Sequence, residues 1–200
     1  MGFEPRAVFA EEHGLESTHL ARAPGRVNLI GEHTDYNGLP VFPMAIQREA
    51  HLAFRSRDDG FVRIRSIRED FEEVEFEIVP GIAASPAGHW GNYLKAPADE
   101  LARQFAISRG FDGVLASDIP IAAGLSSSSA LVNAVGLALA HVNGIILERL
   151  PFAEVMAEAE RYTGTRGGGM DQAISMAGHA DHAARIEFSP LQMRHVPVPQ

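Results

Sequence analysis

The sequence predicts an α+β fold rather than a doubly wound parallel sheet, and three observations carry that expectation. Strand-like alternation is concentrated in the first part of the chain, up to Ile78, whereas the longer helical segments come later. No Gly-x-Gly-x-x-Gly follows a strand, which removes the dinucleotide-binding crossover and the protein-kinase phosphate loop. The 200 residues, 46% of them hydrophobic, suffice for one ordinary domain with a real core.

The elements follow in order. Residues 5–13 suit a short helix stopped near Gly14, and His19 to Ala23 reads as a strand running into Pro24-Gly25. The next stretch, Arg26 to Gly38, is different in kind. Arg26, Glu32, His33 and Asp35 lie within ten positions on a segment punctuated by Gly31 and Asn37-Gly38, with Val27, Leu29 and Ile30 kept between them. That density of ionisable groups points to a site rather than to a solvated loop. Val41 to Ala45 is a short strand. Ala50, Leu52 and Phe54 alternate with His51 and Arg55, Asp58-Asp59-Gly60 turns the chain, and Val62 and Ile64 alternate with Arg63 and Arg65, which predicts an antiparallel hairpin. Val74, Phe76 and Ile78 between glutamates give a half-exposed strand. Trp90 to Phe105 is helical, with Pro97 expected to kink or restart it.

Gly113 to Ser117 is a strand that leads into Pro120-Ile121-Ala122-Ala123-Gly124-Leu125 and four consecutive serines, Ser126 to Ser129. An uncharged apolar helix over Ala130 to Val142 follows, ended by Asn143-Gly144. Backbone N–H groups, a helix dipole and clustered hydroxyls would make an anion cradle, although the same serines could simply cap a core helix. Pro151 suits a first helical position, and Phe152, Val155, Ala159 and Tyr162 share one face before Gly164. Gly167-Gly168-Gly169 is costly in chain entropy, so close approach to the backbone is expected there. Met170-Asp171-Gln172 opens a short helix that ends at Gly178, with Asp171 a possible cap. Strands are expected over 183–188 and 195–198. His179-Ala180-Asp181-His182 reads as a surface loop in preference to a metal site.

Composition excludes several classes. A net charge of −9 without a Lys/Arg-rich run argues against nucleic acid or an anionic membrane as partner. Zero cysteines exclude disulfides and thiolate chemistry and fit a cytoplasmic protein. Met1-Gly2-Phe3-Glu4-Pro5 lacks the regions of a signal peptide, and no apolar run is long enough to span a bilayer. The Walker pattern is absent as well.

Three stretches together resemble the GHMP small-molecule kinases, and within them the galactokinases. Pro24 to Asn37 (PGRVNLIGEHTDYN) is similar to the galactokinase signature, Gly124 to Ala130 (GLSSSSA) to the phosphate loop, and Gly168 to Gln172 (GGMDQ) to the catalytic-aspartate motif, all in family order. The resemblance implies the N-terminal GHMP domain, an α+β domain of ribosomal-S5-like type, over residues 1–200, with the sugar signature at about 19–45, the phosphate loop at 120–130 and the aspartate motif at 167–172. The family's C-terminal domain is absent from this chain, which is therefore expected to be a poor catalyst when expressed alone. The implied activity is transfer of the ATP γ-phosphoryl group to the C1 hydroxyl of galactose, in a monomer. The resemblance makes Asp171 and Arg26 the catalytic pair, and Glu32, His33, Asp35 and Gly169 the sugar contacts. ATP would be held by Gly124, Leu125, Ser126, Ser127, Ser128 and Ser129, and Mg²⁺ by Ser128 and Glu160, with Glu158 the rival carboxylate. Trp90-Gly91-Asn92-Tyr93 resembles a motif near the nucleotide. The segment from Glu160 to Gln172, with Ile186 to Leu191 beyond, looks closer to N-acetylgalactosamine kinases. Galactose is favoured over that sugar, and a non-catalytic sugar and ATP sensor is the alternative from another class. The physics suits these roles: phosphoryl transfer needs positioning and charge neutralisation, and carboxylates and imidazole hold vicinal hydroxyls in fixed directions.

Overall fold

A computed structural model describes residues 4–32, 34–146, 148–165 and 167–199. Seven strands form one mixed sheet: β1 (His19–Asn28), β2 (Pro43–Ser56), β3 (Phe61–Ser66), β4 (Val74–Glu77), β5 (Phe111–Ser117), β6 (His182–Glu187) and β7 (Gln192–Pro197). Their order is β4-β3-β5-β2-β6-β7, with β1 antiparallel to β2. The helices are α1 (Pro5–His13), α2 (Gly91–Phe105), α3 (Ser127–Val142), α4 (Arg149–Glu160) and α5 (Met170–Ala177). Ala50, Leu52 and Phe54 of β2 and Phe111 and Leu115 of β5 share one core with Leu94, Leu101, Leu139, Met156 and Ile174 of the later helices. On the opposite face α1 lays Phe9 against Ala53 and Val114. Covered from both sides, β2 and β5 lose the strict alternation of a one-sided strand, and Leu52, Ala53 and Phe54 are all buried.

Several expectations hold. Gly14 ends α1 in the left-handed region, β4 alternates buried and exposed residues, and Asn143-Gly144 ends α3. The predicted hairpin of β2 and β3 does not form. The turn at Asp58 to Gly60 is present, but β5 lies between the two strands, antiparallel to β2 (Leu52↔Leu115) and parallel to β3 (Ile64↔Gly113). A parallel pair needs a long crossover, and β4 with α2 supplies it. The helix does not restart at Pro97, one of the two outcomes expected there: α2 runs through it with Leu94, Ala98, Leu101 and Ala102 buried on one side. Burial of that face outweighs an interior proline, which costs about 3 kcal/mol. Pro151 is the third residue of α4, not the first.

For function, the main difference is the length of β1. It continues past Pro24-Gly25, through a register shift between Pro24 and Arg26, as far as Asn28. Arg26 is therefore fixed by a sheet ladder rather than carried on a loop, and β1 delivers it to the N-terminal ends of α3 and α5.

Candidate active site

Close backbone approach begins the site. A Cβ on Gly25 would lie 2.7 Å from the Leu125 carbonyl oxygen, so only glycine lets β1 come this near the serine loop. The Arg26 N–H donates to that same oxygen at 3.1 Å. Its guanidinium then spans two segments: Nη1 donates to the Gly124 carbonyl at 2.6 Å, Nε to Asp171 Oδ1 at 2.7 Å and Nη2 to Asp171 Oδ2 at 3.0 Å. The fork is the bidentate geometry in which arginine and carboxylate bind most strongly. Both side chains are largely withdrawn from water, 12% and 24% exposed, which limits screening of the pair.

Asp171 stands in the first turn of α5, just beyond Gly169 at φ 93°. Among the described residues no side chain caps that helix. Both carboxylate oxygens are turned to Arg26, and Oδ2 also accepts from Ser126 Oγ at 2.5 Å, so the helix-cap alternative for Asp171 is not what the geometry presents.

The serine run does not cap its helix either. Among the described residues α3 has no side-chain cap, and the hydroxyls reach carboxylates instead. Ser129 Oγ donates to Glu160 Oε2 at 2.7 Å, and Gln172 Nε2 donates to the same oxygen. Glu160 is 7% exposed, whereas Glu158 lies at the surface paired with Arg161 at 2.7 Å, so Glu160 is the carboxylate that faces the serines.

Burial pushes the Glu160 carboxyl above its ordinary range, with Asp171 adding to the rise, and the hydrogen bonds from Ser129 and Gln172 only partly offset this. The native state thus holds this proton more tightly than the unfolded chain does. That stabilisation is fully present below the unfolded pKa and is lost as pH rises through the folded one. In Mg²⁺-free buffer, Glu160→Gln is expected to raise Tm at pH 7–8 and to change it little near pH 4. A gain of about 2–4 °C per kcal/mol is the scale for a chain of this size. Equal shifts at both pH values in a melting series would contradict the assignment.

The three glycines meet the sugar-signature loop. Asp35 opens a 3₁₀ turn (Asp35–Asn37), and its Oδ2 accepts the Gly168 N–H at 2.9 Å. A Cβ on Gly168 would sit 2.3 Å from the Asp35 carbonyl carbon, which confirms the expected close approach. A cleft of about 1080 Å³ opens beside this contact, with Asp35, Tyr36, Gly168, Gly169, Ala157 and Phe188 among its lining. Glu32 is exposed on the same loop. His33 lies outside the described residues.

Other candidates stand apart. Trp90 donates to the Glu72 carbonyl and Asn92 clamps Ser85 and Pro86, which are structural tasks. His179 stacks on His195 at 3.7 Å, and among the described residues no His, Cys, Asp and Glu group is arranged to hold a metal. Sequence reasoning missed the carboxylate contacts of Ser126 and Ser129 and the part played by Gln172. The spacing of the two serines, one helical turn apart, was the available signal. It also missed Asn28, two residues beyond Arg26, whose amide oxygen and nitrogen are both buried without a partner among the described residues.

Known proteins match this chain along most of its length. Residues 7–56 match the galactokinase galactose-binding signature, and residues 92–179 match the GHMP kinases N terminal domain. The chain is 42% identical over 194 residues to a galactokinase of Chloroflexus aurantiacus, covering 96% of this chain and 49% of that one. A galactokinase of Chloroflexus aggregans is 41% identical with the same coverage. The crystal structure of Lactococcus lactis galactokinase complexed with galactose superimposes with a TM-score of 0.85 at 33% identity, covering 97% of this chain and 51% of that one. Methanococcus jannaschii mevalonate kinase, at 17% identity and a TM-score of 0.74, shares the fold. The chain spans about half the length of the curated relatives it matches.

Proposed function

We propose, for a chain that belongs to the GHMP kinase family, that its site is the sugar- and phosphate-handling part of a galactokinase, which moves the γ-phosphoryl group of ATP to the C1 hydroxyl of galactose. The observation that carries this reading is the bidentate Arg26–Asp171 pair, set where the sugar-signature strand, the serine loop and the glycine loop converge.

The carboxylate geometry supports one destination for the proton. Asp171 Oδ2 already accepts from Arg26 Nη2 and Ser126, while among the described residues Oδ1 accepts only from Arg26 Nε. A carboxylate oxygen offers two lone-pair sites, so the open one is on Oδ1. In the reaction the C1 hydroxyl gives its proton to Oδ1, its oxygen forms the new bond to the γ-phosphorus, and the bond from that phosphorus to the bridging oxygen breaks to release ADP. Arg26 compensates charge at the reacting end, and the N–H groups of Gly124 to Ser129 at the uncapped start of α3 receive the phosphates. Asp35, Glu32, His33 and Gly169 orient the sugar. The donor chemistry of Ser128 and Glu160, hard oxygens with one Glu160 oxygen already occupied, fits a Mg²⁺ ion that takes its remaining ligands from water and phosphate. When bound, that ion neutralises phosphate charge. Galactose or a related hexose and ATP are thus the partners we propose, in a cytoplasmic monomer. No helix among the described residues is long and apolar enough to cross a membrane.

The test compares kcat/KM for galactose and N-acetylgalactosamine on the longest natural polypeptide carrying this chain. A preference for galactose is expected. A preference for N-acetylgalactosamine would move the substrate, and tight binding of sugar and ATP without turnover would make the protein a sensor. Asp35→Ala is expected to weaken sugar binding by about 5- to 150-fold, since a lost buried polar contact costs roughly 1–3 kcal/mol, while ATP binding survives. Unchanged sugar affinity in calorimetry would remove Asp35 from the site.

A further inference from the structure

We propose that Ser126 is a positioning residue for Asp171, which fixes the carboxylate so that one chosen oxygen takes the substrate proton; this rests on the galactokinase reading above. Three observations lead there. Ser126 holds φ 58° and ψ 42°, a left-handed conformation that a residue with a Cβ rarely adopts. Such outliers persist only where the surroundings enforce them, and they gather at functional sites. It occupies the N-cap of α3, where serine is favoured because its oxygen can accept an N–H of the first turn, yet it makes no such bond. Its hydroxyl donates instead to Asp171 Oδ2, across a sequence separation of 45 residues.

The neighbouring backbone gives that contact its meaning. Gly124 and Leu125 each lend a carbonyl to Arg26, at 2.6 Å and 3.1 Å. The loop therefore grips both members of the ion pair, the arginine through two carbonyls and the aspartate through one hydroxyl. Without the hydroxyl, the Arg26 fork alone would hold the carboxylate, which could then rock about the arginine plane. With it, both lone-pair sites of Oδ2 are filled, and the open site on Oδ1 has a fixed direction. The left-handed turn serves two ends at once: it sends the hydroxyl to Asp171 and leaves the first N–H groups of α3 uncapped for an anion.

Glycine separates this from a merely structural turn, because it tolerates a positive φ without strain and has no hydroxyl. In the longest natural polypeptide carrying this chain, Ser126→Gly is expected to keep or raise Tm. It should lower kcat with ATP and galactose about 10- to 100-fold, with both KM values within about threefold. Ser126→Ala, which keeps the strain, should melt lower and lose kcat to the same extent. In an Asp171→Asn background, adding Ser126→Gly should change kcat by less than about twofold, since there is no carboxylate left to position. A Ser126→Gly enzyme with wild-type kcat, or an equal loss in both backgrounds, would overturn the proposal. A wild-type protein that phosphorylates neither galactose nor N-acetylgalactosamine would overturn the functional reading, and this inference with it.

Discussion

Asp171→Asn is expected to lower kcat by roughly 10²- to 10⁴-fold, the scale on which a positioned general base contributes, while the binding of sugar and ATP stays near wild type and stability falls by no more than the roughly 1.5–3 kcal/mol that hydrogen bonds to a charged group are worth. Asparagine is close in shape, can still accept from Ser126, and suits a helix start about as well as aspartate does. It has one oxygen where the carboxylate has two, and it does not accept a proton at neutral pH. Both oxygens of Asp171 already face Arg26 and Ser126 rather than the N–H groups of α5, so a loss of kcat with binding kept would report the proton acceptor and not a cap. Steady-state kinetics with a parallel melting curve checks this. Activity within a few-fold of wild type would show that positioning and charge compensation carry the reaction without the aspartate.

Arg26→Met should harm two properties at once. It removes the guanidinium from Asp171 and from the Gly124 carbonyl while keeping a long side chain of similar shape. The largely withdrawn Asp171 carboxylate then loses its counter-charge, and hydrogen bonds to charged groups are worth about 1.5–3 kcal/mol. A stability loss of that size is expected in urea unfolding, together with at least a 10²-fold fall in kcat from lost charge stabilisation in the transition state. In an Asp171→Asn background the stability loss should shrink, because no buried charge is left behind. An undiminished loss there would mean that Arg26 stabilises the domain through its Gly124 bond alone.

Much of the site was legible because its parts are contiguous in sequence. The signature loop, the serine run and the glycine run each announce themselves through residue types that are expensive unless used, such as three adjacent glycines or four ionisable side chains on a short loop. What was not legible is which hydroxyl meets which carboxylate. Ser126 meets Asp171 and Ser129 meets Glu160 across 45 and 31 residues, and local periodicity says nothing about partners so distant. The same limit explains the fold's main departure. Alternation in β2 and β3, with a turn between them, is what a hairpin looks like. The strand that separates them, β5, lies some fifty residues later and fits because it pairs with both. That α2 continues through Pro97 was hidden for a related reason: the proline's local cost was visible, whereas the burial of the α2 face that outweighs it depends on the packed core.

The activity proposed for this site is delivery of a phosphoryl group to the anomeric hydroxyl of a galactose-type sugar. The most direct test is a single-turnover reaction of the longest natural polypeptide carrying this chain with ATP and galactose, its product read by phosphorus NMR. A sugar phosphate esterified at O1, formed in equal amount with ADP, is the predicted result. A phosphate on any other hydroxyl, or bound ATP and galactose that persist without transfer, would contradict it.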